Sequence, residues 1–384
     1  MRLLLVTSVY PSPRRPVKGV FNQQLVSALR AAGDDVRVVV PIPWTDLLLT
    51  RPAAPPAPQT RYPVWWYPPR VAHQTHHRWM AHRVLPAIDA ATSDWRPDVV
   101  VGYWTHPDGT VALQGAKRLA VPGVILAGGS DIHLLTRDPA RRPVILETLH
   151  AANRVVTVGI SLREAVIALG VDPAAIGAFT RGVDLTRFHP GPAHMARNAL
   201  GLPADRPIAL WVGRMVPVKG LDLLVEAWRT VTQHPARPLL CLVGDGAERR
   251  NLERRSAEYG DSIWFVGNVR HDQLADWYRA ADVVVLPSRS EGIPNVLLEG
   301  LACGTPFIAS DVGGVRSLAS DPSVVVPPGD TAALARALEG WAEIPPMTRR
   351  SSAQVADAST AVEGLRRQFS ELIALSDRPL EPVA

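Results

Sequence analysis

Runs of four or five apolar residues recur along this chain, and stretches with apolar positions every three or four residues lie between them. Unbroken apolar runs of that length predict strands buried on both faces, and the longer spacing predicts helices with one buried face. Residues 2–9 read as the first strand, 21–32 as a helix closed by Gly33, and 36–40 as the second strand. Further strands are predicted at 98–101, 123–127, 154–158 and 175–180. After a Pro- and Gly-containing break at His189–Pro192, the pattern restarts at 208–212. Leu221, Leu224, Val225 and Trp228 mark one helix face, and strands follow at 239–243, 262–266, 282–286 and 306–309. Such alternation predicts an α/β fold of parallel sheets covered by helices.

The restart implies two domains, residues 1–190 and 191–358, followed by a last helix from 359 onward, and 384 residues suffice for both. No apolar run approaches the roughly 18 to 20 residues that span a bilayer. The opening Met1-Arg2 and four apolar residues predict a short buried strand rather than a signal peptide. Cys241 and Cys303 sit in apolar contexts, as reduced core residues of a cytosolic protein would. Charge is uneven. Residues 1–190 carry 21 Lys/Arg and 13 Asp/Glu, or +8, and residues 191–384 carry 20 and 23, or −3. A basic first half points to an acidic partner; an anionic membrane or lipid phosphate fits better than nucleic acid, for which no binding module is recognisable. A solvated, Arg-rich surface is the plainer reading of the same charge.

Residues 41–69 are proline-rich and read as irregular, with Trp44, Trp65 and Trp66 among them. The next segment carries Arg70, His73, His76, His77, Arg78, Trp79, His82 and Arg83. With no carboxylate or cysteine near, these read as solvated histidines rather than a metal site. A basic, tryptophan-bearing segment suits a membrane interface, and a core-packed helix with an ordinary polar face has the same pattern.

Candidate chemistry gathers just after predicted strands, where open α/β sheets bind ligands. Glu291 falls in a turn after the strand at 282–286, and Glu299 follows inside an amphipathic helix, with Pro294 suited to its first turn. A helix start attracts phosphate, and carboxylates beside a bound anion need other polar partners such as sugar hydroxyls. Arg214 and Lys219, in a loop after the strand at 208–212, supply fixed positive charge for a bound phosphate. The chain contains no Asp-x-Asp, a carboxylate pair that could hold a metal beside that phosphate. Gly19 follows the first strand and, lacking a Cβ, lets backbone approach a diphosphate; a simple turn glycine is the alternative. No Gly-x-Gly-x-x-Gly follows a predicted strand, which argues against a Rossmann oxidoreductase.

Taken in order, these segments resemble the retaining glycosyltransferases of family 4, which have the GT-B fold. The resemblance rests on Gly213-Arg214 through Lys219-Gly220, Val243-Gly-Asp245-Gly, Phe265-Val-Gly-Asn268-Val269, the Glu291/Glu299 segment ending Ala302-Cys-Gly-Thr-Pro306, and Ser310-Asp-Val-Gly-Gly314. Near the start, Thr7-Ser-Val-Tyr-Pro11, Lys18-Gly-Val-Phe21 and Gly129-Ser-Asp131-Ile132 resemble bacterial members that build cell-surface polysaccharides of the teichuronic-acid type. The resemblance implies two Rossmann-like, doubly wound domains facing across a cleft, with the last helix returning to the first. It implies a nucleotide-sugar donor, a UDP- or GDP-sugar, with neither cofactor nor metal. Arg214 and Lys219 would grip the diphosphate and Glu299 the ribose. Glu291 would meet the donor sugar beside Ile293, Pro294 and Asn295. Asn268 and Val269 would border the base, with Asp245 on the same loop face. Where many relatives carry a histidine that contacts the donor sugar, this chain has Gly128; His106 and His133 are the substitutes at hand, or else structural histidines. Asp131 would hold the acceptor or the loop. The implied acceptor is a glycan or polyprenyl-linked saccharide at the inner face of the plasma membrane. A soluble transferase with a small acceptor, and a non-catalytic partner that only binds sugar nucleotides, are the alternatives.

Overall fold

The computed structural model describes residues 1–16, 18–319, 324–345, 351 and 353–376. It has two compact units, Met1–Thr180 with Ala358–Ala384, and Arg181–Asp357. The first holds a seven-stranded sheet, in the order Thr60–Arg61, Asp35–Val39, Arg2–Val6, Val99–Tyr103, Gly123–Ala127, Arg154–Val158, Ile176–Phe179. Every pairing in it is parallel. The second holds a six-stranded parallel sheet, in the order Ile263–Gly267, Leu239–Val243, Ile208–Val212, Val283–Leu286, Phe307–Ser310, Val325–Val326.

The uniformly apolar strands follow from burial on both faces. In Ile208–Val212, Ile208, Leu210 and Val212 pack into one core, while Ala209 and Trp211 pack into another on the opposite face. Strand Leu239–Val243 divides the same way, with Cys241 in the first core and Leu240 and Leu242 in the second. Burial pushes the Cys241 thiol up to about 12, so it stays protonated and inert. Helix Leu221–Trp228 buries the predicted Leu221, Leu224, Val225 and Trp228.

The predicted break at His189–Pro192 falls inside the second unit, which begins at Arg181. The chain is committed to that unit earlier because the Val183 N–H donates to the Ala356 carbonyl and Phe188 is buried in its core. Another tie left no sequence signal. Arg197, on helix Ala193–Leu200, is fully buried and ion-pairs with Asp282 at 2.6 Å. Its remaining N–H groups donate to the carbonyls of Ala280, Pro203, Ala204 and Arg206. Asp282 also accepts from the Ile208 N–H, so one pair fixes the starts of two neighbouring strands.

Helix Ala358–Ser376 belongs to the first unit. Val362, Leu365, Phe369 and Leu372, three or four apart, face its core, and Arg366 donates to the buried Asp34 carboxylate at 2.9 Å. The proline-rich stretch is more ordered than expected. It forms a two-stranded parallel ladder, Ile42–Pro43 with Val64–Trp65, and a short helix, Trp44–Leu49. Two-residue strands are too short to show periodicity. Helix His76–Ala91 buries His76, Met80, Val84 and Ile88 at four-residue spacing. His76 is therefore not a solvated histidine: its ring lies 4.8 Å from that of Tyr67, and Nε2 faces the Val71 carbonyl. Burial pushes its pKa down.

Candidate active site

In the second unit, the loops that follow five neighbouring strands carry the predicted residues. Asn268 follows Ile263–Gly267, and Asp245 follows Leu239–Val243. Arg214 and Lys219 follow Ile208–Val212, Glu291 follows Val283–Leu286, and Gly313-Gly314 follow Phe307–Ser310. Because these strands are parallel neighbours, their carboxyl ends form one rim.

The rim is held by backbone packed on backbone. The Met215 N–H donates to the Asp245 carbonyl, and the Gly244 N–H to the Gly267 carbonyl. Gly244 sits at φ +126°, and a Cβ there would stand 1.8 Å from the Gly213 carbonyl oxygen. At Gly313, φ +58°, a Cβ would meet the Glu291 and Gly292 carbonyl oxygens at 2.4 Å each. Arg289 ties the Lys219 loop to the Glu291 loop: its N–H donates to the Val218 carbonyl and its guanidinium to Pro217 and Asp222.

That tie sets Lys219 beside Glu291, with Nζ 2.6 Å from Oε1 and side chains 25% and 11% exposed. Arg214 is exposed at the same rim. Pro294 is the residue before helix Asn295–Ala302 rather than in its first turn, and its carbonyl accepts from the Leu297 N–H. It is extended, at ψ 114°, because it ends the turn that carries Glu291. Ile293 packs half-buried on the core, and Asn295 accepts from Arg181 at 3.5 Å.

Glu299 lies on that helix, almost buried. Its Oε2 accepts from the Tyr278 hydroxyl at 2.8 Å and its Oε1 faces His271 Nε2 at 3.0 Å. The Arg187 guanidinium stands 3.2 Å from His271 Nδ1. A guanidinium only donates, so Nδ1 accepts and Nε2 carries the proton toward Glu299. Burial, and then the Glu299 charge, push the Tyr278 phenol well above its ordinary value, so it remains a donor. A carboxylate accepts at about four positions, so two contacts leave capacity for ligand hydroxyls. Asp245 is half exposed and accepts from the Gly246 N–H at 2.7 Å. Asn268 is exposed, and Val269 packs half-buried against the core.

The first unit brings Gly19, His106, Asp131 and Gly128 to the carboxyl ends of its central strands. Gly19 starts helix Val20–Ala31 at φ +68°, and a Cβ there would meet the Val9 carbonyl oxygen at 2.2 Å. Close packing of its own loop therefore demands glycine. Asp131 is fully buried: Oδ2 accepts from the Thr105 N–H and hydroxyl, and Oδ1 from the Gly128 and Gly129 N–H groups. Of its two expected roles, these four contacts are those of holding the loop.

The space a side chain would need at Gly128 is filled by Tyr103 and Trp104. A Cβ there would stand 2.6 Å from the Tyr103 hydroxyl oxygen and 3.3 Å from the Trp104 ring. His106 is buried, with Nε2 3.3 Å from Nδ1 of His77, and burial pushes its pKa down to about 3. It is neutral at pH 7. His133 is half-buried, and burial lowers its pKa too. Asp108, which sequence reasoning missed, is fully buried and accepts from the Ser8 N–H and hydroxyl; burial raises it to about 6. Arg289, His271 and Tyr278 were missed as well. Arg289 stands two residues before Glu291, whereas His271 and Tyr278 meet Glu299 only through the fold.

Known proteins place this architecture. A profile described as "Glycosyltransferase Family 4" matches residues 19–187, and one described as "Glycosyl transferases group 1" matches residues 206–343. A Bacillus subtilis (strain 168) protein named for teichuronic acid biosynthesis, the glycosyltransferase TuaC, is 30% identical over 357 residues, covering 88% of each chain. The structure resembles sucrose-phosphate synthase of Thermosynechococcus elongatus at TM-score 0.72 and 27% identity, over 98% of this chain and 96% of that one. It shares its fold with Anabaena HepE, solved with UDP and glucose, at TM-score 0.71 and 18% identity, over 98% and 100%. The chain belongs to glycosyltransferase family 4 and has the GT-B fold.

Proposed function

We propose that this protein moves a sugar, with retention and without a divalent metal, from a nucleoside-diphosphate sugar to a lipid-linked saccharide or growing glycan. The setting is surface-polysaccharide assembly at the inner face of the plasma membrane. The observation that carries the reading is the rim on which Lys219, Glu291 and the anchored Glu299 stand together. Lys219 and Arg214 hold the diphosphate and stabilise its charge as it departs. Glu299, oriented by Tyr278 and His271, accepts from the ribose hydroxyls. Glu291 receives the donor sugar beside the start of helix Asn295–Ala302. No side chain is assigned as nucleophile; the departing phosphate takes the acceptor's proton. TuaC's name supports the surface-glycan setting, and the UDP and glucose held by HepE support a nucleotide-sugar donor.

The test is transfer from a panel of UDP-, GDP-, ADP- and TDP-sugars to a polyprenyl-linked saccharide in excess chelator, with the product's anomeric configuration read by NMR. Turnover restored only by Mg2+ or Mn2+ overturns the metal-free reading, and an inverted product overturns retention. The likeness to sucrose-phosphate synthase favours a second reading, a small soluble acceptor, and transfer to a free sugar phosphate alone would select it.

A further inference from the structure

The first unit carries an apolar surface that the transfer chemistry does not use. Helix Trp44–Leu49 ends in three exposed leucines, with Leu48 and Leu49 74% and 73% exposed. Aromatic contacts join it to helix His76–Ala91. Trp44 stacks on Trp66 at 6.3 Å, and Trp66 meets Trp79 edge-on at 5.4 Å. Trp66 and Trp79 are themselves 51% and 43% exposed. Large apolar side chains so exposed and so contiguous mark an interaction site.

Its border is basic. Arg83, four residues after Trp79, is exposed on the same face of helix His76–Ala91, and Arg78, one residue before Trp79, is exposed about 100° further round the helix. The Arg83 guanidinium reaches the Val64 carbonyl, two residues from Trp66. Arg14 donates to the carbonyls of Leu47 and Thr50, beneath the leucines. Asp46, the one carboxylate between residues 44 and 83, is paired with Arg15 at 3.0 Å.

We infer that this face docks on an anionic lipid bilayer, with Leu48 and Leu49 entering the acyl boundary and Trp66 and Trp79 lying at headgroup level. Apolar tip, tryptophan belt and arginine border match the three layers an interface presents. A second copy of the chain fits poorly, since a symmetric contact would set the arginines of both copies against each other. Nucleic acid fits poorly too, because the leucines have nothing to pair with on phosphate or base edges. No helix among the described residues is long and apolar enough to cross a membrane.

The experiment is co-sedimentation of the full chain with phosphatidylglycerol–phosphatidylcholine vesicles and with phosphatidylcholine alone, at low and high salt. Binding is expected to need the anionic lipid and to weaken as salt shortens the screening length. Each leucine withdrawn from the acyl boundary costs about tenfold in partitioning, and each arginine about fivefold. Leu48→Ser/Leu49→Ser therefore lowers binding roughly a hundredfold and Arg78→Ser/Arg83→Ser about twenty-five-fold. Both pairs are exposed, and an unchanged melting temperature checks the fold. Brominated lipid is expected to quench the wild-type tryptophans and to quench Trp66→Phe/Trp79→Phe less. No binding to anionic vesicles at low salt, or full binding by Leu48→Ser/Leu49→Ser, overturns the inference. So does self-association abolished by the leucine substitutions without vesicle binding. Donor binding, read separately by titration with nucleoside diphosphates, keeps this outcome distinct from that of the proposed transfer reaction.

Discussion

The contact between Lys219 and Glu291 makes an unusual prediction about phosphate binding. Lys219→Ala removes a cation from the diphosphate and also strands the Glu291 carboxylate in a site where its side chain is 11% exposed. The direct contact is a charge-assisted hydrogen bond, about 2 kcal/mol. The stranded carboxylate adds a second penalty, because an incoming diphosphate meets an uncompensated like charge. Exposed ion pairs contribute under about 1 kcal/mol, and breaking a buried pair costs about 3–5 kcal/mol. With the partners 25% and 11% exposed, about 2 kcal/mol is appropriate for that second effect. Lys219→Ala is therefore expected to weaken nucleoside-diphosphate binding about 10³-fold, and Lys219→Ala/Glu291→Gln only about thirtyfold. Neutralising a second side chain thus restores affinity. Isothermal titration with UDP and GDP measures all four corners of the cycle, with melting curves as a check on the fold. If the double variant binds as weakly as Lys219→Ala, the two groups do not share the phosphate site and the assignment of both is refuted.

Tyr278→Phe removes the hydroxyl that orients Glu299 at 2.8 Å and is expected to cost about 2 kcal/mol of stability and to raise the donor KM while leaving kcat near native; an unchanged KM would make Tyr278 purely structural. Arg197→Met leaves Asp282 buried without its cation and is expected to lower unfolding free energy by about 3–5 kcal/mol in urea titrations, with partial recovery in Arg197→Met/Asp282→Asn. Burial holds His106 neutral down to about pH 3, while the unfolded chain protonates it near 6.5. Its contribution to stability is thus complete above 6.5 and falls as pH drops from there toward 3. Asp108, raised from 3.8 to about 6, acts in the opposite sense, its share being present below 3.8 and lost as pH rises to 6. His106→Gln is expected to flatten the acid-side fall in the urea midpoint, and an unaltered fall would place the titrating group elsewhere.

Local pattern alone determined most of the secondary structure. Strands Gly123–Ala127, Ile208–Val212 and Leu239–Val243 lie where their apolar runs begin and end, because a strand covered on both faces must be apolar throughout. The rim residues were legible for a related reason: in a parallel sheet each strand delivers its following loop to the same edge, so position after a strand already implies position at the site. Short edge strands such as Thr60–Arg61 and Val325–Val326 gave no signal, since two residues have no period. Tertiary structure alone decided which partners the charged and polar groups meet. Glu299 is 28 residues from His271 and 21 from Tyr278, and Lys219 is 72 from Glu291. Arg197 reads as an ordinary helix-surface arginine until the fold buries it against four carbonyls and Asp282. The solvated reading of His76 failed for the same reason, since its neighbour Tyr67 lies outside its own helix. Periodicity reports which face of an element is buried. Hydrogen-bond partners depend on which elements are packed together, and that is settled only when the whole chain has folded.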